Sequence, residues 1–213
     1  MDIVILLFER LTALDAIGPF EVLSQLPGAT VRFAGKTTGP VRTDNGMLGL
    51  QVDVPLTAID RADLLLVPGG WGTRALESDE EVLDWIRRID TTTRHTTSVC
   101  TGALVLGAAG LLNGKRATTH WALLDRLTEF GALPTSERVV RDGKVTTAAG
   151  VSAGIDMGLR LVAELATPEF AQAAQLGIEY DPQPPFNTGN AQTAPPKLVE
   201  ALRARLRKAE AEA

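Results

Sequence analysis

The chain has 213 residues, 45% hydrophobic and 22% charged, a balance that suits one globular domain with an adequate core. Its net charge of −5 speaks against general affinity for nucleic acid or anionic membranes, and two histidines with one cysteine offer little for a metal centre. A lone cysteine cannot form an internal disulfide, which fits a reducing, cytoplasmic setting, and Met1 to Phe8 lacks both the basic start of a signal peptide and the length to span a bilayer.

Ile3 to Phe8 is continuously apolar and reads as a strand buried on both faces. A helix is predicted to start near Asp15 as its N-cap, with Pro19 in the first turn and Phe20 to Leu23 in the body. Thr30 to Ala34 reads as a second strand, and Asp44-Asn45-Gly46 as the turn of a hairpin-like excursion between Val41 and Val54. Leu64 to Val67 is another buried strand, halted by Pro68-Gly69-Gly70. Ser78 and Glu81 suggest a capping box for a helix that turns Val82, Ile86 and Ile89 to one face. The strand Thr96 to Val99 runs into Cys100, and the apolar helix after it is predicted to stop at Asn113-Gly114.

Trp121 to Phe130 reads as a helix ended by Gly131, and Asp142-Gly143 as a hairpin turn between Val139 and Val145. Val151 to Ala166 is a long apolar helix, and Thr167-Pro168-Glu169 opens another with cap, proline and acid in order. This alternation predicts an α/β sandwich: a mainly parallel central sheet with helices on both faces. Residues 1–190 are read as that domain and 191–213 as a helical extension. Proline-rich Asp181 to Pro196 is an extended connector, and the charged helix after it spaces Leu198, Leu202 and Leu206 by four.

Cys100 is the most informative residue. An apolar strand ends at the sulfur, Gly102 follows two residues later, and a helix begins at once, which is the layout of a nucleophile elbow. Helix N–H groups at that place favour a thiolate, although a lone cysteine among Ala, Leu and Val also fits a small core residue. In an open parallel sheet ligands bind beyond the carboxyl ends of the strands. Asp15 follows the first strand, Gly69-Gly70 the Leu64 strand and Cys100 the Thr96 strand. Alone, Asp15 fits a helix cap and the glycines a turn. Together, on neighbouring strands, they make an acid/base, a nest of backbone N–H groups and a nucleophile. Thr101 is beside the sulfur by covalent connection. Trp71 is either a pocket wall or a surface packing residue, His120 a helix cap or a base, Asp156 a hydrogen-bonded acid, and Glu21 a competitor to Asp15.

Four blocks, Val67-Pro68-Gly69-Gly70, Ser98-Val99-Cys100-Thr101-Gly102-Ala103, Ala117-Thr118-Thr119-His120-Trp121 and Ala149-Gly150-Val151-Ser152-Ala153-Gly154-Ile155-Asp156, resemble the ThiJ/PfpI superfamily. Leu14-Asp15-Ala16-Ile17-Gly18-Pro19-Phe20-Glu21-Val22-Leu23 and the tail Ile178 to Phe186 are similar to the isocyanide hydratases within it. The resemblance implies a flavodoxin-like sandwich, a Cys100 nucleophile assisted by Asp15 and Thr101, and a substrate site with Gly69, Gly70, Trp71 and Gly102. It also implies no cofactor, no metal and a homodimer. The reaction implied is hydration of an isocyanide to a formamide through a covalent thioimidate. Sensor domains of AraC-type regulators share the elbow and the Ala117–Trp121 block, and glyoxalase- or deglycase-like members use the same thiol. PfpI-type peptidases carry a histidine after the nucleophile where this chain has Thr101.

Overall fold

The computed structural model describes residues 1–211, so Glu212 and Ala213 of the expected terminal helix lie outside the described residues. In chain order, β1 (Asp2–Leu6) leads to α1 (Ala13–Leu23) and β2 (Thr30–Gly35), and then β3 (Gly39–Arg42) and β4 (Gly49–Val52) pair as an antiparallel hairpin. β5 (Val54–Pro55), β6 (Leu64–Val67), α2 (Thr73–Leu76), α3 (Glu80–Asp90), β7 (His95–Val99) and α4 (Gly102–Ala108) follow. β8 (Arg116–Ala117), a 3-10 helix (Trp121–Phe130), β9 (Leu133–Pro134), β10 (Val139–Asp142), β11 (Val145–Ala148), α5 (Ala153–Leu165) and α6 (Pro168–Gly177) complete one compact unit, Met1–Ile178. A second unit begins at Glu179 and holds the proline-rich segment and α7 (Pro196–Ala211), on which Leu198 and Leu202 are exposed.

The central sheet runs in the order β10-β11-β7-β6-β1-β2-β5, and every pairing except β10 with β11 is parallel. Its interior strands are buried on both faces: Ile3 to Leu6, Leu64 to Val67 and Thr96 to Val99 are sealed from solvent. Helices α1, α5 and α6 pack together, as do α2, α3 and α4. The chain moves outward from β1 to β2 in one direction and from β1 to β6 in the other. The switch in strand order therefore lies between β1 and β6, whose carboxyl ends are the place where such a sheet takes a ligand.

Several local expectations shift. Helix α1 starts at Ala13 with Thr12 at its cap, two residues before Asp15, and Pro19 sits in the helix interior. The proline is accommodated because α5 presents Gly154 there, where a Cβ would lie 2.9 Å from Pro19 Cγ. Asp79 rather than Ser78 caps α3, accepting the Val82 N–H at 3.4 Å, while the Ser78 hydroxyl turns back to the Ala75 carbonyl. Helix α4 ends at Ala108, ahead of the expected glycine stop, where Gly110 adopts φ +81°. The hairpin turns at Asn45-Gly46 and Asp142-Gly143 and the cap of α6 form as expected.

Gly102, the first residue of α4, faces β6 with no room to spare: a Cβ would overlap the carbonyl oxygens of Val67 and Pro68. Gly102→Ala is expected to destabilise the chain by about 1–3 kcal/mol or more through overpacking against backbone. Thermal unfolding checks this, and a midpoint equal to the wild type would show that α4 can retreat from β6.

Candidate functional site

The carboxyl ends of β1, β6 and β7 converge at Gly69. A Cβ there would lie 2.6 Å from the Thr101 nitrogen, 2.7 Å from Asp15 Oδ2 and 2.8 Å from Cys100 Cβ. Only glycine leaves the carboxylate and the thiol room to face each other. Gly70 is held at φ +132°, where a Cβ would collide with the backbone of Arg10, Leu11 and Thr12.

Cys100 sits in the left-handed region at φ +55°. Its N–H donates to the Ala148 and Ala149 carbonyls at 3.0 Å each, and its own carbonyl accepts the Thr119 hydroxyl at 2.7 Å. These bonds hold a non-glycine residue in a conformation it would otherwise avoid, so strain is stored at the nucleophile position. The Thr101 hydroxyl bridges to the next loop, accepting the Gly70 N–H at 2.9 Å and lying 3.2 Å from the Gly70 carbonyl. Backbone N–H groups of Thr101 and Val151 and the Thr101 hydroxyl reach the sulfur. Val151, a β-branched residue at φ +39°, is a second strained donor.

Asp15 lies in the first turn of α1 and is fully buried. It does not cap the helix. Its Oδ2 accepts the Gly69 N–H at 2.9 Å, the carboxyl is in hydrogen-bonding reach of the Cys100 thiol, and Oδ1 has no partner in the protein. Burial pushes its pKa from the ordinary 3.8 up to about 7; the Gly69 N–H and the Cys100 thiol oppose the rise, and the Asp44 charge adds to it. The thiol is pushed up from its ordinary value by burial and then by the Asp15 charge, against the pull of its N–H and hydroxyl donors. The first-turn N–H groups expected to favour a thiolate are present, and burial and the neighbouring carboxylate act against them.

This carboxyl carries a stability consequence. Folded Asp15 holds its proton up to about pH 7, whereas the unfolded chain releases it near 3.8, so stability present in acid is lost as pH rises through 7. At ~1.4 kcal/mol per pH unit, the ceiling is about 4 kcal/mol. Asp15→Asn, which keeps an acceptor for Gly69, should gain stability relative to wild type progressively from about pH 4 to about pH 7 and keep that gain above it. Melting curves for both proteins check this, and parallel curves would contradict it.

The remaining candidates separate. Trp71 is half-buried with the Arg74 guanidinium 4.3 Å above its ring. His120 Nδ1 accepts the Ala122 N–H at 3.4 Å, so it caps the 3-10 helix, and burial lowers its pKa. Glu21 points to solvent, and Asp156 is ion-paired with Arg138. Thr119 and Val151 were not singled out from the sequence, and both hold Cys100 through contacts between loops far apart in the chain. Among the described residues no three His, Cys, Asp or Glu side chains are grouped as metal ligands, and no helix is long and apolar enough to cross a membrane.

Residues 1–164 match the family model described as the DJ-1/PfpI family. An isonitrile hydratase of Pseudomonas putida is 46% identical over 205 residues, covering 96% of this chain and 90% of its own length. The HTH-type transcriptional regulator CdhR of Pseudomonas aeruginosa is 31% identical over 169 residues, 77% of this chain but 49% of the regulator. The crystal structure of a ThiJ/PfpI family protein from Pseudomonas syringae superposes with a TM-score of 0.94 at 41% identity, covering 97% of this chain and 86% of that one.

Proposed function

The chain belongs to the DJ-1/PfpI family, and on that premise we propose that it hydrates isocyanides, R–NC, to N-substituted formamides. The observation that carries the reading is the buried Asp15 carboxyl, with its pKa raised to about 7, beside the one thiol of the chain. Similarity to an isonitrile hydratase over 96% of the chain supplies the substrate class.

Asp15, as carboxylate, takes the thiol proton while the Cys100 sulfur bonds to the terminal isocyanide carbon, and it returns that proton to the same carbon. The product is a thioimidate, R–N=CH–S–Cys100. Asp15 then takes a proton from water as the oxygen adds to this carbon and passes that proton to the imine nitrogen. Collapse breaks the C–S bond, the hydroxyl proton returns to sulfur, and R–NH–CHO leaves. One hard step becomes two easier ones, and the carboxyl changes protonation state in each. The N–H groups of Thr101 and Val151 stabilise the charge that develops on sulfur, and the Thr101 hydroxyl ties the elbow to Gly70. Half-buried Trp71 is the proposed wall of the approach to the sulfur, and Gly69, Gly70 and Gly102 serve by letting backbone pack closely around it. The chemistry needs no cofactor.

We place the protein in the cytoplasm, where a lone unpaired thiol stays reduced. We also propose a homodimer, supported by exposed Leu14, Met47 and Leu48 on α1 and the β3–β4 hairpin. A monomer in sedimentation at micromolar concentration would reject it.

The testing experiment incubates the protein with cyclohexyl isocyanide and follows the formyl proton by NMR, with methylglyoxal in a parallel reaction. Formamide without lactate supports the proposal. Lactate without formamide would replace it with glyoxalase chemistry, and binding without turnover would point to a sensor.

A further inference from the structure

Asp15 is not placed by its own helix alone. Thr12, the cap of α1, donates its hydroxyl to Asp44 Oδ2 at 2.9 Å, across from the tip of the β3–β4 hairpin. The Asp44 N–H donates to the Leu11 carbonyl at 3.0 Å, so the carboxylate and backbone of one hairpin residue grip two consecutive residues ahead of α1. The same segment is bound from the other side: the Thr12 N–H donates to the Gly69 carbonyl at 2.9 Å, and Leu11 forms bridges to both Thr43 and Gly70. Gly69 in turn donates its N–H to Asp15. Asp44, Thr12, Gly69 and Asp15 form one continuous chain of contacts from the hairpin tip to the catalytic carboxyl.

We propose that Asp44 is a positioning residue for Asp15: through Thr12 it holds the first turn of α1 against the Gly69 turn, and its negative charge bears on the working carboxyl. Nothing about the fold requires an acid there. A side chain at a hairpin tip is free to face solvent, and Asn45 beside it, exposed and bonded to Thr43 and Met47, already supplies the turn. Thr12 could instead cap α1 with its own hydroxyl, but that hydroxyl goes to Asp44 and makes no cap bond. The charged and titratable groups that bear on Asp15 are the Cys100 thiol from the elbow and Asp44 from the hairpin; Glu9, in the loop below, turns away to accept the Arg42 N–H. Asp44 repels the ionised form of Asp15 and so supports the raised pKa that burial begins.

The proposal rests on the acid/base reading of Asp15, and a readout that does not use isocyanide keeps the two separable. Cys100 is the one cysteine, so its alkylation by iodoacetamide reports on this pair alone, with an inflection where Asp15 titrates. Asp44→Asn keeps an oxygen for the Thr12 hydroxyl and removes the charge. Its alkylation profile should shift to lower pH by a few tenths to about one pH unit. Thr12→Val keeps the charge and deletes the hydroxyl. It should leave the inflection within ~0.2 pH unit while lowering kcat for formamide formation by roughly 3–10-fold, with KM nearly unchanged, a part of the cost of one lost hydrogen bond to a charged group. Should Asp44→Asn fold poorly, Asp44→Ser tests the same removal of charge. A shifted profile with no formamide from any isocyanide would support the role of Asp44 and reject the hydratase reading. An inflection at the wild-type pH in both Asp44 variants would overturn the proposal.

Discussion

Cys100→Ala is expected to reduce isocyanide conversion to the uncatalysed background while leaving the thermal midpoint within a few degrees of wild type. The loss should be complete because the reaction proposed passes through a C–S bond, and the chain holds no other thiol to take over. The fold should survive for three reasons. Alanine fills most of the same buried volume. It bears the same left-handed cost at φ +55° as cysteine does. The bonds that fix this conformation, from Cys100 N–H to Ala148 and Ala149 and from Thr119 to the Cys100 carbonyl, involve backbone at residue 100 and remain. Cys100→Gly should be inactive too, yet relieve the strain. Turnover in the alanine variant would eliminate covalent thiol catalysis and reduce Asp15 to a base acting on water alone.

The second large effect falls on Asp15. Asp15→Asn should lower kcat by roughly 10²–10⁴-fold, the range that general acid–base catalysis contributes. The carboxamide is nearly isosteric and keeps an acceptor for the Gly69 N–H, so the loss would reflect proton transfer rather than geometry. In the wild type the acid limb of the kcat/KM profile should lie near pH 7. Below it Asp15 is protonated and cannot take the proton that the buried thiol holds, and above it the carboxylate is ready. Asp15→Glu should also impair turnover, because an added methylene drives the carboxyl into the space shared by Gly69 and Cys100. Full activity in Asp15→Asn would overturn the mechanism.

What could be seen in the sequence was whatever chain neighbours determine. The apolar runs at Ile3 and Leu64 had to be buried strands, and a strand ending at Cys100 with Gly102 two residues later had to turn sharply into a helix. Once those strands were arranged in parallel, their carboxyl ends had to meet near Gly69. Interactions between segments distant in the chain were hidden. Asp15 was expected to cap α1, but its carboxylate found the Gly69 N–H at the end of the neighbouring strand, and the helix began two residues earlier. The thiol was expected to be acidic from its place at a helix start, a local effect. Burial and Asp15, both products of the fold, act against it. Thr119 and Val151 lie in blocks whose resemblance was noted, yet no spacing rule links a hydroxyl at 119 to a carbonyl at 100.

Conversion of one isocyanide in water enriched with oxygen-18 tests the central claim most directly. The account predicts one equivalent of N-substituted formamide per isocyanide consumed, with the label in its carbonyl oxygen, from the wild-type protein and from neither Cys100→Ala nor Asp15→Asn at a comparable rate. Formamide at equal rates from all three proteins, or an isocyanide consumed without labelled formamide, would contradict it.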